Sequence, residues 1–362
     1  MCGGQNYPFP FTDVSGVMAA FCPGIMEAYV TGVTQGTAPT TFSPNENVPR
    51  LQMTTFLRRS LDQGVTRASR RTILKQSWQL NLRPQNIFVS GNPVFCAADG
   101  ENIWVASQAE VDQIQASTGK VLGSWSGVTK SWPIAAIPGW IITADNSAPN
   151  GLYFINSAAP PGPITAIATL PGGASSIAYD GSLVWIANFS GSVSTVDPLN
   201  PGSTLTTHTT GFNQPVGLVY DGTQMWVTDY GAGKLLSVAQ DGTIGTTVTV
   251  GAGPEQPAFD GENIWVPNSL DNSITVVQAS TGKVVATLVS PGSQLSGPEQ
   301  ASFDGERILV TNHGTTRGWT LFKAADLSVI ATAITGDPPY GVCSDGKQFW
   351  LNFITQHYLF RH

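Results

Sequence analysis

Short apolar runs of about five residues follow one another along most of the chain, each closed off by glycine, proline, aspartate or asparagine. Runs of that length between such residues predict strands joined by tight turns. One combination keeps returning: a small or apolar pair, then Asp-Gly, then an aliphatic triplet usually centred on Trp. It reads Ala97-Ala98-Asp99-Gly100 with Ile103-Trp104-Val105, and Tyr179-Asp180-Gly181 with Val184-Trp185-Ile186. It returns at Tyr220-Asp221-Gly222 with Met225-Trp226-Val227, and at Phe259-Asp260-Gly261 with Ile264-Trp265-Val266. Two more copies are Phe303-Asp304-Gly305 with Ile308-Leu309-Val310, and Ser344-Asp345-Gly346 with Phe349-Trp350-Leu351. A degenerate copy, Pro138-Gly139 with Ile141-Ile142-Thr143, lacks the aspartate.

These seven positions recur every 39 to 44 residues, the length of one four-stranded propeller blade. Asp-Gly is a hairpin turn between the first two strands of each unit. Ser273–Val277 and Val284–Leu288 read as a third and fourth strand. The stretch Gln115-Ala116-Ser117-Thr118-Gly119-Lys120-Val121 recurs as Gln278-Ala279-Ser280-Thr281-Gly282-Lys283-Val284, as expected of a duplicated unit. The expectation is an all-β, seven-bladed β-propeller over residues 76–362. Too few residues follow Asp345-Gly346 to finish a blade, so a strand between Trp78 and Val89 is expected to supply its outer edge. Trp104, Trp185, Trp226, Trp265 and Trp350 are expected to pack between sheets.

Ahead of the repeats, Met53, Phe56, Leu57 and Leu61 fall on one helical face, with Asn45, Asn47 and Pro49 as start signals. The sequence Phe11-Thr12-Asp13-Val14, the stretch 25–32, Thr41-Phe42-Ser43-Pro44-Asn45 and Val48-Pro49-Arg50-Leu51-Gln52-Met53 resemble an S-layer homology repeat. The resemblance implies a small α-helical module, over residues 1–75 with its basic linker, and a partner in an anionic cell-wall polymer. Pro49-Arg50-Leu51-Gln52 keeps the family's arginine there and lacks its acid. The wording of the repeats resembles the YVTN/NHL-type propellers, with their YncE and virginiamycin B lyase relatives.

Only 11% of residues are charged, and the net charge is −7. Seven of the 17 basic residues lie between Arg50 and Lys75, so the repeats are acidic and no nucleic-acid partner is expected. No apolar stretch is long enough to span a membrane, and no signal sequence is visible in this chain. A secreted or cell-envelope location and a monomer are expected. Cys2 and Cys22 could pair in an oxidising compartment; Cys96 and Cys343, at similar places in the first and last units, read as small buried apolar residues.

Candidate chemistry collects where inner strands begin and second strands end. Asn92, Trp132, Gln214, Tyr340 and Asn188 are candidate ligand-binding residues there. Gly253-Pro254-Glu255-Gln256 and Gly297-Pro298-Glu299-Gln300 occupy equivalent places in neighbouring units, which should bring two carboxylates together. Glu255, Glu299, Asp229, Asn268 and Asn312 form a hard-oxygen set suited to Ca²⁺ or another divalent cation. In type and location this set is similar to the metal ring of paraoxonase-type lactonases and phosphotriesterases. The competing reading is that Asn188, Asn268 and Asn312, repeated from unit to unit, cap turns. Two functions stay open. One is an envelope protein binding a small ligand, cation or partner at the channel mouth. The other is a metal-dependent lactone, ester or phosphotriester hydrolase, or a lyase, with His313, Glu255 and Glu299 catalytic and His313 as base.

Overall fold

The computed structural model describes residues 85–289 and 294–362, together with residues 2, 10–17 and scattered positions up to 53. The chain divides into two compact units, Met1–Leu80 and Asn81–His362.

In the larger unit the repeat sequence becomes a repeated device. At the end of each first strand the aspartate turns back into its own hairpin. Asp221 Oδ1 accepts the N–H groups of Thr223 and Gln224 at 2.7 and 2.8 Å, and Oδ2 accepts the Trp226 indole N–H at 2.8 Å. Asp99 holds Trp104, Asp180 holds Trp185, Asp260 holds Trp265 and Asp345 holds Trp350 in the same way. In the unit where Leu309 replaces Trp, Asp304 takes the Arg307 Nε–H instead, at 2.9 Å. The glycine after each aspartate has a positive φ, such as +102° at Gly100, with open space where a Cβ would lie. Conformation, not crowding, demands glycine there.

All five repeated tryptophans are at most 1% exposed. Burying one contributes about 4–6 kcal/mol before entropy is counted, and its N–H then needs an acceptor. The aspartate supplies it while fixing the turn. Burial alone would raise the Asp180 pKa, but the N–H donors of Leu183, Trp185, Gln240 and Ser182 hold it down to about 2.

The strands form a β-propeller with five four-stranded blades, and the expected seven four-stranded blades are corrected accordingly. Four of these blades follow chain order, spanning 174–208, 215–249, 258–289 and 298–334. The fifth joins Val342–Ser344, Phe349–Phe353 and Tyr358–Arg361 to Gln85–Phe88, which pairs with the last of them (Gln85↔Arg361 to Phe88↔Tyr358). Residues 78–84 of the expected closing strand lie outside the described residues. The strands between 95 and 169 form one continuous seven-stranded sheet. Its centre is a 17-residue strand, Val121–Ile137, whose first half pairs with Gln108–Gln115 and whose second half pairs with Trp140–Asp145. Between the halves the strand continues through Gly127, whose φ is +104°, so no break separates two sheets. The degenerate Pro138-Gly139 turn that follows has no aspartate to clamp Trp140.

Cys96 and Cys343 are joined by a disulfide, which corrects their reading as small apolar residues. The bond ties the first strand of the seven-stranded sheet to the first strand of the last blade, across 247 residues of sequence. In the smaller unit the Cys2–Cys22 disulfide lies in a core with Phe11, Val14 and Ile25, and the Phe11 and Phe42 rings are 5.4 Å apart. Asp13 accepts the backbone N–H groups of Phe42 and Ser43. The described residues outline no complete helix here, so a helical module is not shown. The disulfide, the Asp13 clamp and the ring contact are among the contacts that hold the described part together. Of the expected helical face, Phe56, Leu57 and Leu61 lie outside the described residues.

Two outcomes follow from these contacts. Asp221→Ala removes a charged acceptor from a buried indole and should cost about 3 kcal/mol. Asp197→Ala, which loses a loop amide contact, should cost under about 1 kcal/mol. Equal melting temperatures for the two variants would refute the clamp. The Cys96→Ser/Cys343→Ser variant should lose about 2–5 kcal/mol in denaturant unfolding, because the bond closes so long a loop. A variant as stable as the oxidised parent would show that strand pairing alone closes the ring.

Candidate functional site

The two Gly-Pro-Glu-Gln segments meet because neighbouring sheets dock in parallel register, with a Gln256↔Gln300 bridge. Gln256 N–H donates to Glu299 C=O at 3.0 Å, and Ala301 N–H donates to Gln256 C=O at 3.0 Å. The glycine opening each segment is required on two counts. Gly253 and Gly297 have φ of +64° and +55°, and a Cβ would come within 2.7 Å of Leu270 and 2.8 Å of Gly314.

Hydroxyl groups of preceding sheets set the depth of these strands. Thr228 Oγ1 donates to Glu255 C=O at 2.8 Å, and Thr311 Oγ1 to Tyr340 C=O at 3.1 Å. The buried Gln256 carboxamide reaches across to the carbonyls of Ser175 and Val216, at 3.0 and 2.9 Å. Gln300 Oε1 accepts the Val342 N–H at 2.8 Å. Both glutamines and both threonines escaped the sequence reading. The glutamines were visible as the fourth residue of the repeated tetrapeptide, but only ring closure shows what their amides reach.

On this frame Glu255, Glu299, His313 and Tyr340 come together. Glu255 Oε1 accepts the Ser269 hydroxyl at 3.1 Å. Glu299 Oε2 lies 3.7 Å from His313 Nδ1, beyond a direct hydrogen bond. The His313 and Tyr340 ring centroids are 4.3 Å apart, edge to face. Trp132 continues the aromatic row, 5.6 Å from Tyr340 and 6.1 Å from Phe95.

Burial pushes the Glu255 pKa up to about 7, against the Ser269 hydrogen bond that favours its charge. Burial, with the neighbouring Glu255 charge, pushes Glu299 up to about 8. Burial and then the Arg317 charge lower the pKa of His313. Near neutral pH Glu299 therefore keeps its proton, Glu255 is close to its midpoint and the imidazole is neutral.

The other expected site residues are engaged elsewhere. Asp229, 1% exposed, accepts the N–H groups of Asn213 and Gln214 at 2.8 and 2.9 Å, a turn clamp. The amides of Asn188, Asn268 and Asn312 donate to hydroxyls on the third strand of their own sheets. Asn92 donates to Gln108 Oε1, and Gln214 gives its backbone C=O to Tyr230. Among the described residues no three His, Cys, Asp or Glu side chains gather to hold a metal ion. The Asn188 and Asn268 Oδ1 atoms are buried without a partner. Glu255, Glu299 and His313 bring together two carboxyl groups and an imidazole, by themselves a poor fit to a hard divalent cation that takes six or more oxygens.

With the geometry established, comparison with known proteins adds an address for the smaller unit. Residues 10–54 match the S-layer homology domain. That match points to the cell envelope, and no described helix is long and apolar enough to cross a membrane. The fold of the larger unit is similar to that of solved propellers. A streptogramin B lyase structure aligns with a TM-score of 0.64 at 14% identity, over 77% of this chain and 96% of that one. Virginiamycin B lyase from Staphylococcus aureus aligns with a TM-score of 0.64 at 15% identity, over 77% and 98%. The WD40 propeller domain of Doa1 aligns with a TM-score of 0.63 at 10% identity, over 77% and 96%. Such identities show the propeller fold and no narrower family. No curated protein sequence matches the chain.

The raised carboxyl pKa values carry a sign. Folded Glu255 and Glu299 keep protons that the unfolded chain releases near pH 4.5, so stability falls as pH rises from there to about 8. Glu255→Gln/Glu299→Gln should remove that slope and gain on the order of 3 kcal/mol over the parent at pH 8.5. Parallel melting-temperature profiles for parent and variant between pH 5 and 8.5 would contradict the assignment.

Proposed function

We propose that the chain is a cell-envelope β-propeller that binds a small ligand at its channel mouth, through the cluster of Glu255, Glu299, His313 and Tyr340. The observation that carries the reading is the carboxyl pair itself. Two acidic groups are docked side by side and desolvated at a cost to the fold, with Glu299 receiving no hydrogen bond stronger than the long His313 approach. Desolvated titratable groups grouped in this way mark binding and catalytic sites. Asp229 clamps a turn, and the amides of Asn188, Asn268 and Asn312 bond within their own sheets. The Glu255 carboxyl instead takes the Ser269 hydroxyl, and that of Glu299 approaches His313. The S-layer homology match supports the envelope location, with a wall polymer as the partner of that module. Two disulfides suit an oxidising compartment outside the cytoplasm.

A second reading rests on the imidazole beside a carboxyl group. A catalytically inactive His-to-Ala variant of the Staphylococcus aureus virginiamycin B lyase has been solved with quinupristin. A lyase or hydrolase here would use His313 as base and Glu299 as its neighbour. It is the weaker reading, because the described donors do not assemble a cation site.

Saturation-transfer NMR with a chemically mixed fragment set, on the full chain and on Glu299→Gln and Tyr340→Leu, tests the binding reading. Fragments that bind the parent and lose at least tenfold in affinity in either variant are the expected outcome. Fragments that bind all three proteins equally, or none that bind, would refute it.

A further inference from the structure

The last blade departs from the others at the position behind Tyr340. Asn352 lies in the second strand there, two residues after Trp350, and is paired with Tyr340 and Gly341 through the backbone, at 2.9 Å in each direction. Two residues after the corresponding Trp or Leu, other blades place Ala187, Thr228, Pro267 and Thr311, and both threonine hydroxyls donate to a backbone carbonyl of the next sheet, those of Glu255 and Tyr340. In the last blade Leu359 lies opposite Asn352, with Arg361 two residues on, and neither carries a hydroxyl. Asn352 is fully buried, and neither its Oδ1 nor its Nδ2 has a partner. A buried carboxamide with both ends unmatched costs several kcal/mol unless something meets it.

This orphaned amide adjoins the aromatic row that runs from His313 and Tyr340 to Trp132, beside Glu299 and Glu255. We propose that the mouth recognises an organic cation, an alkylammonium group seated between the two glutamates with its chain along Tyr340 and Trp132, and that Asn352 meets a polar group of the same ligand. The inference rests on the ligand-binding reading and narrows its chemistry. An ammonium group needs only a few acceptors and gains from an aromatic face, whereas a divalent ion needs more oxygens than are gathered here. The same pair, once ionised, disfavours anions.

Isothermal titration calorimetry on the full chain at pH 8.5, where both glutamates are mostly ionised, with n-hexylammonium, 1-hexanol, hexanoate and calcium chloride as probes, tests it. Hexylammonium should bind, 1-hexanol and hexanoate should bind at least tenfold more weakly, and calcium should not bind. Glu255→Gln and Glu299→Gln should each weaken hexylammonium at least tenfold, and Tyr340→Leu about threefold or more. The role of Asn352 is read with 6-amino-1-hexanol as a second probe. Asn352→Leu, an apolar replacement of similar size, should lose the advantage of that probe over hexylammonium. Circular dichroism melting of each variant establishes that it is folded. Calcium binding without amine binding overturns the inference, as does hexylammonium binding unchanged in the glutamate variants. If 1-hexanol or hexanoate binds at the mouth and amines do not, the cation inference falls while the ligand-binding reading stands. If nothing in the panel binds but the fragment set does, the same holds.

Discussion

The hydrogen bond from a buried indole N–H to a turn aspartate is the constraint on which the rest of this propeller depends. One carboxylate does two things at once. It holds the hairpin between the first and second strands, and it satisfies the single polar atom of the largest side chain in the core. The sheets can then pack on fully buried tryptophans without an unmet donor. Where the tryptophan is missing, the aspartate takes a guanidinium N–H, and Arg307 lies over the Phe349 ring, 5.3 Å from its centre, toward the next blade. Where the aspartate is missing, at Pro138-Gly139, the sheet boundary is missing too. The long strand Val121–Ile137 runs through the place where a new blade would otherwise start.

A rigid frame of this kind makes the mouth residues separable by what they cost. Asp229 and the asparagines at the second-strand ends return their hydrogen bonds to the blade that carries them. Glu299 does not, and Glu255 takes the Ser269 hydroxyl alone. Their backbones are locked by Thr228, Gln256 and the parallel register of two sheets, while their carboxyl groups are pressed together out of water. Asn352 is a second expense in the same quarter, since its carboxamide is buried with neither end met. Both departures fall on residues next to Tyr340 or His313, which is why the proposed recognition site is placed there.

The repeat, the strand order within each unit, the tryptophan core and the meeting of Glu255 with Glu299 could all be read from residue order. Each rests on local pattern or on equivalence between copies. The surroundings of the expected metal set could not be read. Asp229, Asn268 and Asn312 look alike as oxygen ligands in a string of letters, and only the structure shows that the Asp229 and Asn312 oxygens accept backbone N–H groups while Asn268 Oδ1 has no partner. Cys96 and Cys343 look like two small apolar residues until the ring brings their strands together.

Sequence by itself determined an all-β chain of repeated hairpins, each with its own clamp, because turn chemistry and burial period act over a few residues. It also determined that two identical tetrapeptides would present two glutamates in like surroundings. Tertiary structure alone decided how many separate blades the strands make, since that depends on whether a strand breaks between one partner and the next. It alone decided that a disulfide spans the closure, that Glu299 keeps its proton near neutral pH, and that Asn352 has no partner. Those properties depend on distances across the ring and on water excluded when the sheets dock, and neither is written in neighbouring residues.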